Sequence, residues 1–147
     1  MNGDGEGDFG SCIFKKRNAQ SYFAIQTFAA PIVQTQGTAQ GFHFDNSNMK
    51  PIINNDGWKK AFELYKATGK YGPPDELNMD IGDTRALFKA GRCGLIVEWG
   101  DPGTLQLDDD ASAIKGKMYA ISAVGSKEVL DRATGKLVPV SASTAPY

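Results

Sequence analysis

Apolar residues change their spacing along the chain, and each spacing predicts an element. Residues 9–14, Phe-Gly-Ser-Cys-Ile-Phe, read as a short strand with Cys12 and Ile13 inward. Tyr22, Ile25, Ala29 and Ile32 recur at helical steps and share one face. Asn18 is placed to cap that helix, and Pro31 predicts a kink or end near Ala30. Residues 35–41 are polar and glycine-punctuated, a loop; 41–45 alternate weakly as a small strand, and 51–53 form a short extended piece. Asn54, Asn55 and Asp56 offer caps for a second helix, with Trp58, Ala61, Phe62 and Tyr65 as its inner stripe and Gly69 as its stop. Residues 75–82 read as loop and 84–90 as a third helix, with Leu87 and Phe88 inward and Gly91 after it. Gly94-Leu95-Ile96-Val97 is a short apolar run that suits a buried strand of a parallel sheet. Residues 117–124 predict another strand, apolar at Met118, Ala120 and Ile121, and 129–138 a hairpin that turns at Thr134-Gly135. Helical and strand periods interleave, so the expected class is α/β: a small mixed sheet with flanking helices.

The chemistry changes abruptly where the central apolar run ends. Glu98, Trp99, Gly100, Asp101 and Pro102 follow one another. Asp101 can cap a helix and Pro102 fits its first turn, so a helix start is expected at Gly103. In open α/β sheets ligands sit beyond the carboxyl ends of the strands. That rule puts Glu98, Trp99 and Asp101 where a ligand would be. The same pattern also suits a tryptophan that closes the core, with two acids that are solvated or cap backbone.

Composition narrows the partners. The chain has 147 residues, 41% hydrophobic and 22% charged, which is ordinary for a folded domain and long enough for a real core. A formal net charge of −1 gives no basic face, so nucleic acid is not an expected partner. No apolar run approaches membrane-spanning length, and the start is neither a signal nor a transit peptide. Residues 1–8 read as a flexible, acidic, glycine-rich lead-in. A calcium loop begun at Asn2 would need its bidentate glutamate at Ile13, which has no carboxylate. His43 is the one histidine; it reads as a packed or surface residue, and one histidine cannot form a histidine-based metal cage. No metal or cofactor is expected. Cys12 and Cys93 are the two cysteines, and either a disulfide or a reduced buried pair fits.

Several of these pieces, in order, resemble family 1 extracellular solute-binding proteins, the sugar- and oligosaccharide-binding components of ABC importers. They are Ser21-Tyr22-Phe23 opening a long helix, the glycines at 37 and 41, Phe42-His43-Phe44-Asp45, Pro51-Ile52-Ile53-Asn54-Asn55, and Gly57-Trp58-Lys59-Lys60-Ala61-Phe62. The most specific is Leu87-Phe88-Lys89-Ala90-Gly91-Arg92-Cys93-Gly94-Leu95 running into Glu98-Trp99-Gly100-Asp101. It is similar to the family's phenylalanine–glycine–lysine–alanine segment that leads to a tryptophan, although Arg92-Cys93-Gly94 stands where lysine and alanines are usual. The acidic start and the hairpin at 131–135 also resemble receptor-like membrane proteins of green algae with solute-binding ectodomains.

The resemblance implies one mostly helical lobe of a periplasmic-binding-protein-like type II fold, spanning 9–147 as a partial lobe, with the first lobe of the same protein missing. It implies a non-catalytic protein, extracellular or periplasmic, that takes a small polar solute, sugar by expectation, for uptake or sensing with a membrane transporter or receptor. Trp99 would stack on a sugar ring; Glu98 and Asp101 would orient hydroxyls; Phe42 is a weaker contact. Two other classes stay open. Glu98 and Asp101 could be the carboxylate pair of a glycoside hydrolase. Alternatively, the chain could be an interaction ectodomain fragment that binds no small ligand.

Overall fold

Asp80 begins the best-defined helix. In the computed structural model, which describes residues 6–34, 39, 41–100, 103, 110–123 and 125–141, its carboxylate accepts the Gly82 amide at 3.0 Å. Asp83 returns the bond, accepting the Asp80 amide at 2.9 Å, which completes a capping box for α3 (Ile81–Lys89). The helix therefore starts inside the stretch expected to be loop. A 3-10 turn at Glu76–Asn78 occupies the rest of it.

The chain divides into two compact units, Met1–Ala24 with Ala67–Ser122, and Ile25–Lys66 with Ala123–Tyr147. In the first, Phe9 pairs with Cys93 and Cys12 with Ile96, both parallel, and a disulfide joins Cys12 to Cys93. The bonds are Phe9 N–H to Arg92 O, Gly94 N–H to Phe9 O and Cys12 N–H to Leu95 O, at 2.8–3.0 Å. The two expected strands are thus shortened to bridges. Between them the Ser11 amide turns away and donates to Tyr71 O at 3.1 Å, which interrupts the ladder. Cys12 and Ile13 point inward as expected, and Phe14 is buried with them. Cys12, Cys93, Phe88 and Ile114 form the core, with Phe9, Leu87, Ile96 and Met118 around it. Glu6 and Arg92 form an ion pair at its edge, with Asp8 3.9 Å from the same guanidinium.

α1 (Ser21–Val33) starts in the first unit, and its second-unit part buries Ile25, Ala29, Ile32 and Val33. Pro31 lies in its last turn, so the missing N–H does not stop the helix until Val33. Asn18 is not the cap: its φ is 63°, and the helix begins at Ser21 with Phe23 N–H on Gln20 O. In α2 (Asp56–Thr68) the Asn55 carbonyl accepts the Trp58 amide at 3.0 Å, a side-chain N-cap. Trp58 and Ala61 are buried, but Phe62 is exposed. It follows Ala61 by one residue and lies about 100° further round the helix, off the buried face. Gly57 has no room for a side chain, since a Cβ there would stand 2.7 Å from the Val33 side chain and 3.2 Å from Leu130. Phe44 and Pro51 form one antiparallel bridge in place of the small strand expected at 41–45. β1 (Glu128–Asp131) and β2 (Lys136–Pro139) form the expected hairpin, with Val129 opposite Val138 and Gly135 at φ 70°. Arg132 donates to Val33 O and Gly41 O, tying the end of α1 to the loop after it.

The strand expected at 117–124 is absent among the described residues. Tyr119 is 88% and Ile121 73% exposed. Nothing described pairs with this segment, so Tyr119 and Ile121 face solvent while Met118 packs at the edge of the first unit's core.

The caps and turns make stability depend on acid pH. Hydrogen bonds hold three carboxyls below the ordinary aspartate value: Asp80, through Lys16 and the Gly82 amide; Asp45, through Ser47; and Asp131, through Thr134 and the Ala133 amide. Lowered folded values mean that the stabilisation is complete above the unfolded value near 3.9 and fades as pH falls through the folded ones. Thermal midpoints are expected to be insensitive to these groups from pH 7 to about pH 4 and to fall below that. Asp80→Ala should lower the midpoint at pH 7 and converge on the parent at pH 2. An equal deficit at both pH values would refute the assignment.

Candidate functional site

The first unit carries an exposed aromatic cluster. The segment 93–97, fixed by the two bridges and the disulfide, delivers Trp99 to the surface, where it is 41% exposed. Phe14, buried, stacks on it with centroids 5.8 Å apart and planes 10° from parallel. Phe23 meets it edge-on at 4.8 Å and 77°, and Tyr22 lies 4.2 Å beyond Phe23. Aromatic contacts of this geometry hold rings in place beyond what area burial gives. The indole is therefore a fixed, partly open surface rather than a core residue.

Tyr22 and Phe23 were not visible as site residues in the sequence. Tyr22 was expected on the buried face of α1 but is 53% exposed, and Phe23 is 37% exposed. Both fall in the first turn, in the first unit, before α1 reaches the apolar core of the second. The available signal was their adjacency: neighbours on a helix point about 100° apart, so a single buried stripe rarely covers both.

Glu98 turns inward. Its side chain is 1% exposed and forms an ion pair with Arg85 of α3, accepting from the guanidinium Nε. The arginine keeps a partly exposed face, so the buried acid holds a cation instead of standing as an open carboxylate. Asp101 lies outside the described residues, and so do its expected cap and most of the helix to follow; Gly103, which is described, is helical. Phe42 belongs to the second unit. There it packs on Trp58 at 5.0 Å and on His43 at 4.7 Å, at the edge of that unit's core. His43 is packed too, tilted 31° over Trp58, with Gln26 Nε2 3.4 Å from its Nε2. Among the described residues no group of three or more histidine, cysteine or acidic side chains is placed to hold a metal. None of the described helices is long and apolar enough to cross a membrane.

No family model matches the sequence, and no curated protein sequence matches it. In structure the chain is similar to an ABC transporter solute-binding protein from Agrobacterium vitis S4, crystallised with bound D-mannitol. The TM-score is 0.60 at 20% identity, over 74% of this chain and 25% of that one. The shared feature is the fold: this mixed α/β chain folds like part of a solute-binding protein and spans about a quarter of that protein's length.

Proposed function

We propose that this chain is part of a two-lobed solute-binding protein and offers Trp99 as a stacking surface for a sugar or sugar alcohol. The carrying observation is the partly exposed indole braced by Phe14 and Phe23. The C–H face of a pyranose is apolar and flat, and an immobilised tryptophan binds it without losing much rotamer entropy. Tyr22 and Phe23 extend the apolar surface, Arg85 held by Glu98 donates to hydroxyls, and Asp101 accepts from them. Fold likeness to a protein that binds D-mannitol supports the solute class.

The reading is of a binder, not a hydrolase. A glycosidase needs two carboxyls that reach the glycosidic bond, and the Glu98 side chain is buried against a guanidinium. The protein works outside the cytoplasm, where a buried disulfide such as Cys12–Cys93 persists. Its partners are the solute, the rest of its own binding fold, and a membrane transporter or receptor.

Calorimetric titration with D-mannitol, maltose and maltotriose tests the proposal. A chain that supplies one wall of a cleft is expected to bind at least one of them weakly, with Kd near a millimolar, about −4 kcal/mol. Trp99→Ala is expected to lose that binding while the far-ultraviolet circular dichroism is unchanged. Binding that survives Trp99→Ala, or release of nitrophenol from nitrophenyl glycosides, would refute it.

A further inference from the structure

The segment 118–122 forms no strand among the described residues, yet it carries apolar side chains into solvent. Tyr119 and Ile121 stand in solvent more fully than the other large apolar side chains described in the first unit, and among the described residues no backbone group of 118–122 has a hydrogen-bond partner. From Met118 to Ser126 there is no charged residue. Charges, prolines and bulges are how chains keep exposed edges from pairing, and this stretch has none of those residues. Nearby alternatives are spent: Lys117 N–H is on Ile114 O, and Lys117 Nζ on Ala113 O.

We propose that this segment pairs with the same segment of a second copy, making a symmetric antiparallel two-stranded ribbon. Its sequence is self-complementary in one register. Centring the twofold on Ala120 sets Tyr119 opposite the other copy's Ile121, twice, and Met118 opposite Ser122, twice. Directly opposed aromatic and β-branched residues are among the favourable cross-strand pairs. The same register sets Lys117 opposite Ala123, so no two like charges face each other. Each copy gains partners for backbone groups that have none among the described residues.

A ribbon of five residues per chain buries much less than the roughly 1,000 Å² of a stable interface, so the dimer is weak. Sedimentation equilibrium is expected to show a mass rising from monomer toward dimer between roughly 10 µM and 1 mM. Tyr119→Lys and Ile121→Lys should each abolish the rise, and both residues are exposed, so the thermal midpoint should not change. Leu77→Lys, at an exposed apolar residue elsewhere in the same unit, should leave the rise intact. The register has its own readout. Ala120→Cys places two thiols face to face across the twofold and should cross-link under mild oxidation. Ser122→Cys places them about 13 Å apart along the ribbon and should not. A monomer at every concentration overturns the proposal. So does a dimer that survives both lysine variants, or cross-linking that does not distinguish position 120 from 122.

Discussion

Replacing Glu76 with leucine is expected to destabilise the protein by about 3–5 kcal/mol, because it leaves a buried ammonium without its counter-charge. Glu76 sits in the short turn before α3 with its side chain out of solvent. One carboxylate oxygen accepts the Ile13 amide at 2.9 Å, and the other forms an ion pair with Lys15, which is equally buried. Gly72 makes the space: a Cβ there would stand 2.4 Å from the carboxyl carbon. Burial holds the Lys15 pKa below its ordinary value of 10.5, against the hydrogen bond and charge of Glu76, which raise it. Without the glutamate that opposition is gone and the depression deepens. A lysine that loses its proton more readily when folded gains stability as pH rises toward the unfolded value. The Glu76→Leu deficit, read from urea melts, should therefore shrink between pH 7 and pH 10. Adding Lys15→Met should recover most of it, leaving the unsatisfied Ile13 amide at about 1–3 kcal/mol. A Glu76→Leu loss below about 1 kcal/mol, or one independent of pH, would show that the pair does not hold this turn.

None of this was legible in the sequence, and the reason is physical. Glu76 lies in a stretch with no periodicity, and its partners are more than 60 residues away. Local pattern reports which face of a helix is apolar; it does not report which charge a remote strand will bury. What could be read was what local chemistry decides: α2 and its Asn55 cap, the inward Cys12 and Ile13, and the hairpin at Asp131–Lys136. The helix start at Ile81 was missed although Asp80 and Asp83 carry it, because a capping box of two aspartates looks like an ordinary acidic loop. The segment 117–124 has a strand's apolar run, but a strand is a relation to a partner, and the described residues supply none. At the site, the strand-end rule led to Trp99 and its exposure. The rule could not orient Glu98, which shares the turn but answers to Arg85 thirteen residues earlier.

Removing the disulfide, with Cys12 and Cys93 both changed to serine, should cost about 2–5 kcal/mol. The bridge closes 81 residues of sequence, and restricting so long a loop in the unfolded chain is worth about 4.5 kcal/mol in the chain-entropy account. The native side adds to this. Both cysteines are buried in the first unit's core with Phe88 and Ile114, so the serines would put hydroxyls into apolar surroundings. Cys12→Ala with Cys93→Ala separates the two contributions: it keeps the loop open without burying a hydroxyl and should recover only part of the loss. The same bridge pins the segment that ends at Trp99, since Cys93 and Ile96 are its anchored positions. The alanine pair should therefore loosen the indole as well as lower the midpoint. In a Trp58→Phe background, where Trp99 is the sole tryptophan, opening the disulfide should raise acrylamide quenching of its fluorescence under fully native conditions. A lowered urea midpoint with unchanged quenching would mean that the bridge stabilises the fold without holding the site, and a midpoint unchanged in both variants would mean that it does neither.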